Sequence, residues 1–112
     1  MYRVFMTKHN NGIPKELQRQ LIGIIKVFRP QATIRLFGSR ARNQHNVWSD
    51  IDIALEETVC IDQYALDKLQ DVLREIALPY KIDIVDLNAV DEPVKAHIVT
   101  EGIVWTYHLP SA

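Results

Sequence analysis

Leu36-Phe37-Gly38-Ser39-Arg40-Ala41-Arg42 and, after a polar stretch, Ser49-Asp50-Ile51-Asp52-Ile53-Ala54-Leu55 decide how this chain folds. Thr33 to Phe37 alternates and is rich in β-branched residues, and Gly38-Ser39 stops it, so it predicts a strand that runs into a turn. Ser39-Arg40-Ala41-Arg42 is expected to open a short helix, and Asn43 to Ser49 reads as a polar loop. Ile51 to Leu55 predicts a second strand with Ile51, Ile53 and Leu55 on one face and Asp52 and Ala54 on the other. Asp50 and Asp52, two positions apart, share a face, and paired carboxylates repel unless a cation neutralises them. An all-oxygen donor set of this kind suits Mg²⁺, held by a few carboxylates together with substrate phosphates. Gly38 lets backbone approach a ligand closely, and the free N–H groups of a helix start at Ser39 would favour phosphate oxygens.

A phosphoryl- or nucleotidyl-transfer site calls for a third acid, to hold a second metal or to activate the attacking hydroxyl. Lys81-Ile82-Asp83-Ile84-Val85-Asp86-Leu87 predicts a third strand and offers Asp83 and Asp86. Strand parity chooses between them. With Ile82 and Ile84 turned toward the helices, Asp83 points to the same open face as Asp52, while Asp86 shares the buried side or lies past the strand end. An Asp inside Ile-Asp-Ile-Val is also a poor strand residue unless something needs it there.

The remaining segments frame these strands. Asn10-Asn11-Gly12 is a turn signal that ends an N-terminal extension of residues 1–12. Pro14 suits a first helical turn, Leu17, Leu21, Ile24, Ile25 and Phe28 follow at helical spacing, and Pro30 closes that helix. A second helix is expected from about Asp62, with Leu66, Leu69, Leu73 and Ile76 as its apolar stripe, ending before Pro79. Asp91-Glu92-Pro93 predicts the start of a third helix that stops at Gly102, and Ile103 to Tyr107 a last short strand. The order α-β-(α)-β-α-β-α-β implies an α/β (α+β) fold: a small mixed sheet with helices packed mainly on one face.

With 112 residues the chain is expected to form one domain spanning 1–112. Hydrophobic content of 47% and charged content of 24% argue against wholesale disorder. A net charge of −1 gives no support to general nucleic-acid binding, which calls for a basic excess. No stretch is long and apolar enough for a signal peptide or a membrane span, and Cys60, expected to be a buried thiol, is a single cysteine and excludes an internal disulfide. These features point to a cytoplasmic protein. His9, His45, His97 and His108 lack zinc-ligand spacing and read as surface or structural residues.

The Gly38-Ser39-Arg40-Ala41-Arg42, Ser49-Asp50-Ile51-Asp52-Ile53-Ala54 and Lys81-Ile82-Asp83-Ile84-Val85 segments resemble the signature of the minimal nucleotidyltransferases (MNT), within the DNA polymerase β-like nucleotidyltransferase superfamily. Glu101-Gly102-Ile103-Val104-Trp105 resembles the usual C-terminus of that family, and the resemblance spans residues 14–107. It implies that Gly38 and Ser39 hold the NTP phosphates, that Asp50 and Asp52 bind the metals, two Mg²⁺, and that Asp83 completes a catalytic triad. Asn43 stands where the family often has Gly, and Asn tolerates left-handed backbone. Arg40 and Arg42 flank the phosphate site, with Arg35 on the strand that leads to it; each is either a contact for triphosphate or an acidic partner, or a solvated charge. Trp48 is expected to pack over its loop, with base stacking or a partner contact as the alternative, and Trp105 to be core or interface. Glu56 and Glu57 read as solvent charges, and Val94, Ile98, Trp105 and Tyr107 as candidates for a self- or partner interface.

A chain of this size is expected to lack the extra domain with which larger relatives grip an acceptor, so a partner would complete the site. The resemblance implies that partner: a small helical HEPN-type toxin, with the MNT protein as antitoxin attaching AMP from ATP to a tyrosine of the toxin. A small-molecule acceptor, or a binding module that neutralises its partner by contact alone, are the other readings. The converging acids argue against the last.

Overall fold

The structure, a computed structural model, describes residues 9–106. The expectations for residues 1–8, Tyr107 and His108 lie outside the described residues. A short 3₁₀ turn at His9–Gly12 leads into α1 (Lys15–Phe28), followed by β1 (Thr33–Phe37), β2 (Ile51–Glu56), α2 (Gln63–Ala77), β3 (Ile82–Asp86), α3 (Glu92–Glu101) and β4 (Ile103–Trp105). The four strands form one mixed sheet in the order β3-β2-β1-β4. β1 runs antiparallel to both β2 and β4, and β2 runs parallel to β3 with α2 as the crossover. This is the α+β architecture that the order of elements implies.

The strand alternation divides the sheet into two faces. Ile34 and Leu36 of β1, Ile51, Ile53 and Leu55 of β2, and Ile82 and Ile84 of β3 turn toward α1 and α2 and form the larger core with Leu17, Leu21, Ile22, Ile25, Leu66, Leu69 and Leu73. α3 lies on the other face, where Ile98 packs with Ala54 and Leu87, bordered by Phe37, Val85 and Val90. Two of the three helices thus share a face, and the third covers part of the face that carries Asp52 and Asp83.

Several local expectations are corrected. Phe28 is exposed and Ile22 takes the core position on α1; Ile76 sits at the rim of the core while Gln70 and Ala77 join the buried side of α2. Cys60 is exposed. Ile98 and Trp105 are core residues, leaving Val94 as the exposed member of the proposed apolar interface among the described residues. Glu57 is no free solvent charge: Arg29 donates to both its oxygens at 2.7 and 2.6 Å, and this hydrogen bond holds its carboxyl below the ordinary value. Glu56 likewise accepts from Arg35 at 2.9 Å. No described helix is long and apolar enough to cross a membrane.

Candidate active site

Gly38 leaves β1 with a positive φ of 77°. Phe37 is the register partner of Asp52, so the next residue turns directly over that carboxylate. A Cβ at position 38 would collide with Asp52 Oδ2 and lie 3.2 Å from its Cγ. The left-handed backbone favours glycine here, and the Asp52 carboxylate occupies the space into which any side chain would have to fit.

Ser39–Asn43 does not continue as a helix. It is a coil of overlapping turns in which Ala41 N–H and Arg42 N–H donate to Gly38 O (3.1 and 3.3 Å), Asn43 N–H to Arg40 O (3.2 Å) and Gln44 N–H to Ser39 O (2.9 Å). The backbone N–H groups of Ser39 and Arg40, at the start of this coil, take no part in its own hydrogen bonds. Asn43 closes it with φ 56°, the left-handed conformation that glycine would otherwise supply.

Arg40 is 1% exposed, with its guanidinium spent on backbone. Nε and Nη2 donate to Ser49 O at 3.1 and 2.9 Å, Nη1 donates to Asn11 O at 3.0 Å, and the cation lies 5.4 Å over the Tyr80 ring. Asn11 returns a bond from Nδ2 to Arg40 O at 2.6 Å. Burial pulls the Arg40 pKa down, against the upward influence of Tyr80, Asp50 and Asp52. The solvated-charge alternative is thereby excluded for Arg40. It is a brace that fixes the Ser49 carbonyl, one residue before Asp50, and brings a buried positive charge near Asp50 and Asp52. Arg42, by contrast, is exposed and reaches Gln44 Oε1 (3.1 Å) and Glu101 (3.6 Å).

Asp52 and Asp83 are direct register partners on adjacent parallel strands, and Asp50 immediately precedes β2. Asp52 is half-buried while Asp50 and Asp83 are exposed. Burial raises the Asp52 pKa, Asp50 and Asp83 raise it further by like-charge repulsion, and Arg40 opposes them. Asp86 takes no part in this cluster. It is 4% exposed and accepts from Ile61 N–H at 2.7 Å and Asn88 N–H at 3.0 Å, pinning the segment that leads into α2.

Among the described residues, no three carboxylate, imidazole or thiol groups close into a ready-made metal cage. The three aspartates share a face instead, and their donor chemistry fits Mg²⁺, which binds through one or two carboxylates and takes remaining ligands from phosphates and water. The mutual repulsion at Asp52 is what such a cation would relieve.

Trp48 corrects its expectation: it is 81% exposed and does not pack over the loop. Its loop is nonetheless fixed, because Trp48 N–H donates to Asn46 Oδ1 (2.8 Å), Ser49 N–H to Asn46 O (3.1 Å) and Asn46 N–H to Ser49 Oγ (3.0 Å). A cavity of about 460 Å³ between this loop and the start of β3 is lined by Trp48, Asp50, Pro79, Tyr80 and Lys81. Asn11, Tyr80 and Gln70 are site-supporting residues that the sequence did not disclose.

Residues 19–106 match the family model described as "Polymerase beta, Nucleotidyltransferase". A Haemophilus influenzae protein named "Probable protein adenylyltransferase MntA" is 28% identical over 106 residues, covering 90% of this chain and 87% of its own. A Methanocaldococcus jannaschii protein named "Putative protein adenylyltransferase MJ0128" is 31% identical over 91 residues, covering 81% of this chain and 92% of its own. A chain in the crystal structure of a toxin–antitoxin with AMP-PNP superposes with a TM-score of 0.70 at 28% identity, covering 81% of this chain and 73% of that one. A chain from the complex of a tri-AMPylated Shewanella oneidensis HEPN toxin with its MNT antitoxin superposes with a TM-score of 0.65 at 25% identity, covering 91% and 74%. With the glycine turn and the acid pair in place on this fold, the chain belongs to the polymerase β nucleotidyltransferase family.

Proposed function

We propose that this protein is a Mg²⁺-dependent adenylyltransferase that moves AMP from ATP onto a hydroxyl of a partner protein, and that the partner is a HEPN-type toxin for which this single-domain chain is the cytoplasmic antitoxin. The observation that carries the chemistry is the shared face of Asp50, Asp52 and Asp83 beside the Gly38 turn. The names of the relatives and the toxin–antitoxin complexes among the structural neighbours support the choice of acceptor.

In this reading the N–H groups of Ser39 and Arg40 receive the triphosphate oxygens, and Arg42, at the exposed end of the turn, meets the outer phosphates. Asp50, Asp52 and Asp83 would hold two Mg²⁺, which would neutralise phosphate charge and polarise the α-phosphorus. The acceptor hydroxyl oxygen forms a bond to the α-phosphorus, the bond from that phosphorus to the β-phosphate oxygen breaks, and pyrophosphate leaves. The hydroxyl proton passes to a carboxylate oxygen of Asp83. Arg40 keeps Ser49 and hence Asp50 in place throughout.

The test is incubation of the chain, co-expressed with a HEPN-type partner protein, with Mg²⁺ and ATP labelled at the α-phosphate. Label on the partner supports the proposal, and loss of that label in Asp52→Asn assigns it to this site. Label on a small molecule alone, or tight partner binding with no label, would replace it.

A further inference from the structure

Among the described residues β3 is an outer strand of the sheet, with β2 on one side only. On its other side the peptide groups of Ile82 and Ile84 point away from β2, and an edge of this kind normally frays or binds water. Here Gln70 of α2, 8% exposed, occupies it. Its Nε2 donates to Ile82 O at 2.7 Å and its Oε1 accepts from Ile84 N–H at 2.8 Å. A residue of a parallel strand bonds its neighbour in this way, donating N–H to the residue before its partner and accepting from the one after. The carboxamide thus stands in for a fifth strand opposite a single residue, and that residue is Asp83.

We infer that Gln70 is a positioning residue for Asp83: its amide fixes the backbone on both sides of that carboxylate and so sets its approach to Asp52 and to a shared divalent cation. The inference rests on the proposed metal-binding role of the three acids. Its physical basis is local. Leu66, Leu69, Leu73 and Ala77 make up the rest of the buried side of α2, so a leucine at position 70 would suit the stripe better than a glutamine. What the glutamine adds is a matched donor and acceptor at the residues flanking Asp83. Asp83 is the register partner of Asp52, whose carboxylate it repels, so an unrestrained edge strand would relax by moving Asp83 away.

Mn²⁺, titrated into the isolated chain and followed by the loss of its free-ion paramagnetic signal, reads this without any acceptor. The wild type is expected to show a site that Asp52→Asn removes. Gln70→Leu should weaken it by about tenfold or more, the usual scale for residues that orient a ligand. In an Asp83→Asn background the same change should weaken it no further, a result that general loosening of the fold would not give. Wild-type affinity in Gln70→Leu, or an undiminished loss in the Asp83→Asn background, would overturn the inference. Should Gln70→Leu not fold, amide hydrogen exchange in the wild type decides: Ile84 N–H should exchange as slowly as amides of the inner strands, and exchange typical of an open edge would overturn it. Absence of any Mn²⁺ site in the wild type would instead bring down the proposed reading of the acids.

Discussion

Replacing Gly38 by Ala separates the two constraints on that residue. The first is backbone: at φ 77° an L side chain costs on the order of 1–2 kcal/mol. The second is the Asp52 carboxylate, which stands where the new methyl would go. Forcing extra volume into a filled site costs typically about 1–3 kcal/mol. Gly38→Ala should therefore lose about 2–5 kcal/mol, and at roughly 4–8 °C per kcal/mol for a domain of this size its melting temperature should fall by at least ~8 °C. In an Asp52→Ala background the collision disappears and the backbone term remains, so the same substitution should cost only about 1–2 kcal/mol. The assay is urea or thermal unfolding of the four proteins of this cycle. The coupling, about 1–3 kcal/mol, measures how tightly the turn is closed over the acid. Additivity within ~0.5 kcal/mol, or a single Gly38→Ala variant with wild-type stability and full nucleotidyl transfer, would refute the claim that turn and carboxylate are built against one another.

Asp52→Asn should abolish transfer while leaving the fold at least as stable, since it removes a group whose charged form is disfavoured by burial and by Asp50 and Asp83. The folded carboxyl titrates above its ordinary value of 3.8, so the wild type is most favoured while that group is neutral and loses stability as pH rises through the raised value. The stability difference, Asp52→Asn minus wild type, should then grow with pH across that window in metal-free buffer, and a flat difference would contradict it. Asp83→Asn should lose most transfer activity. Asp86→Asn should instead cost about 1–3 kcal/mol of stability, measured by unfolding, by spoiling the bonds from Ile61 and Asn88, and should leave chemistry largely intact. Arg40→Lys, with one compact ammonium in place of a guanidinium fork, cannot hold both Ser49 O and Asn11 O and should lose stability and activity together, whereas Arg42→Ala should change stability by less than ~0.5 kcal/mol.

The parts of this protein that follow a local period were legible in its sequence. Ile51, Ile53 and Leu55 alternate with Asp52 and Ala54, and the structure buries the first three against α1 and α2. The same parity separates exposed Asp83 from buried Asp86. What the sequence hid depends on partners far along the chain. Arg40 meets Ser49 and Asn11, Glu57 meets Arg29, and Gln70 meets Ile82 and Ile84, separations of 9 to 29 residues that no helical or strand period encodes. Glu57 and Gln70 are polar residues that composition alone assigns to solvent, and Arg40 reads as a phosphate or partner contact or a solvated charge rather than as a buried brace. The third helix was legible in its bounds but not in its buried side, for a different reason. Val94, Ile98 and Val99 do not define one apolar stripe, and only packing on Ala54 and Leu87 shows which side is inside.

These buried polar residues share a task. Three acids on one face oppose their own arrangement, most strongly at Asp52, and hydrophobic packing against the opposite face supplies no force along the directions in which they would separate. Directed bonds to backbone do: Arg40 holds the residue before Asp50, and Gln70 holds those around Asp83. Asp52 is confined instead by Gly38 above it and by β1 and β3 on either side. Each acid is thus restrained through main chain rather than through its own carboxylate, which leaves the oxygens available to a cation. Binding of that cation should then act on a scaffold already in position, stabilising the fold by mass action without rearranging it.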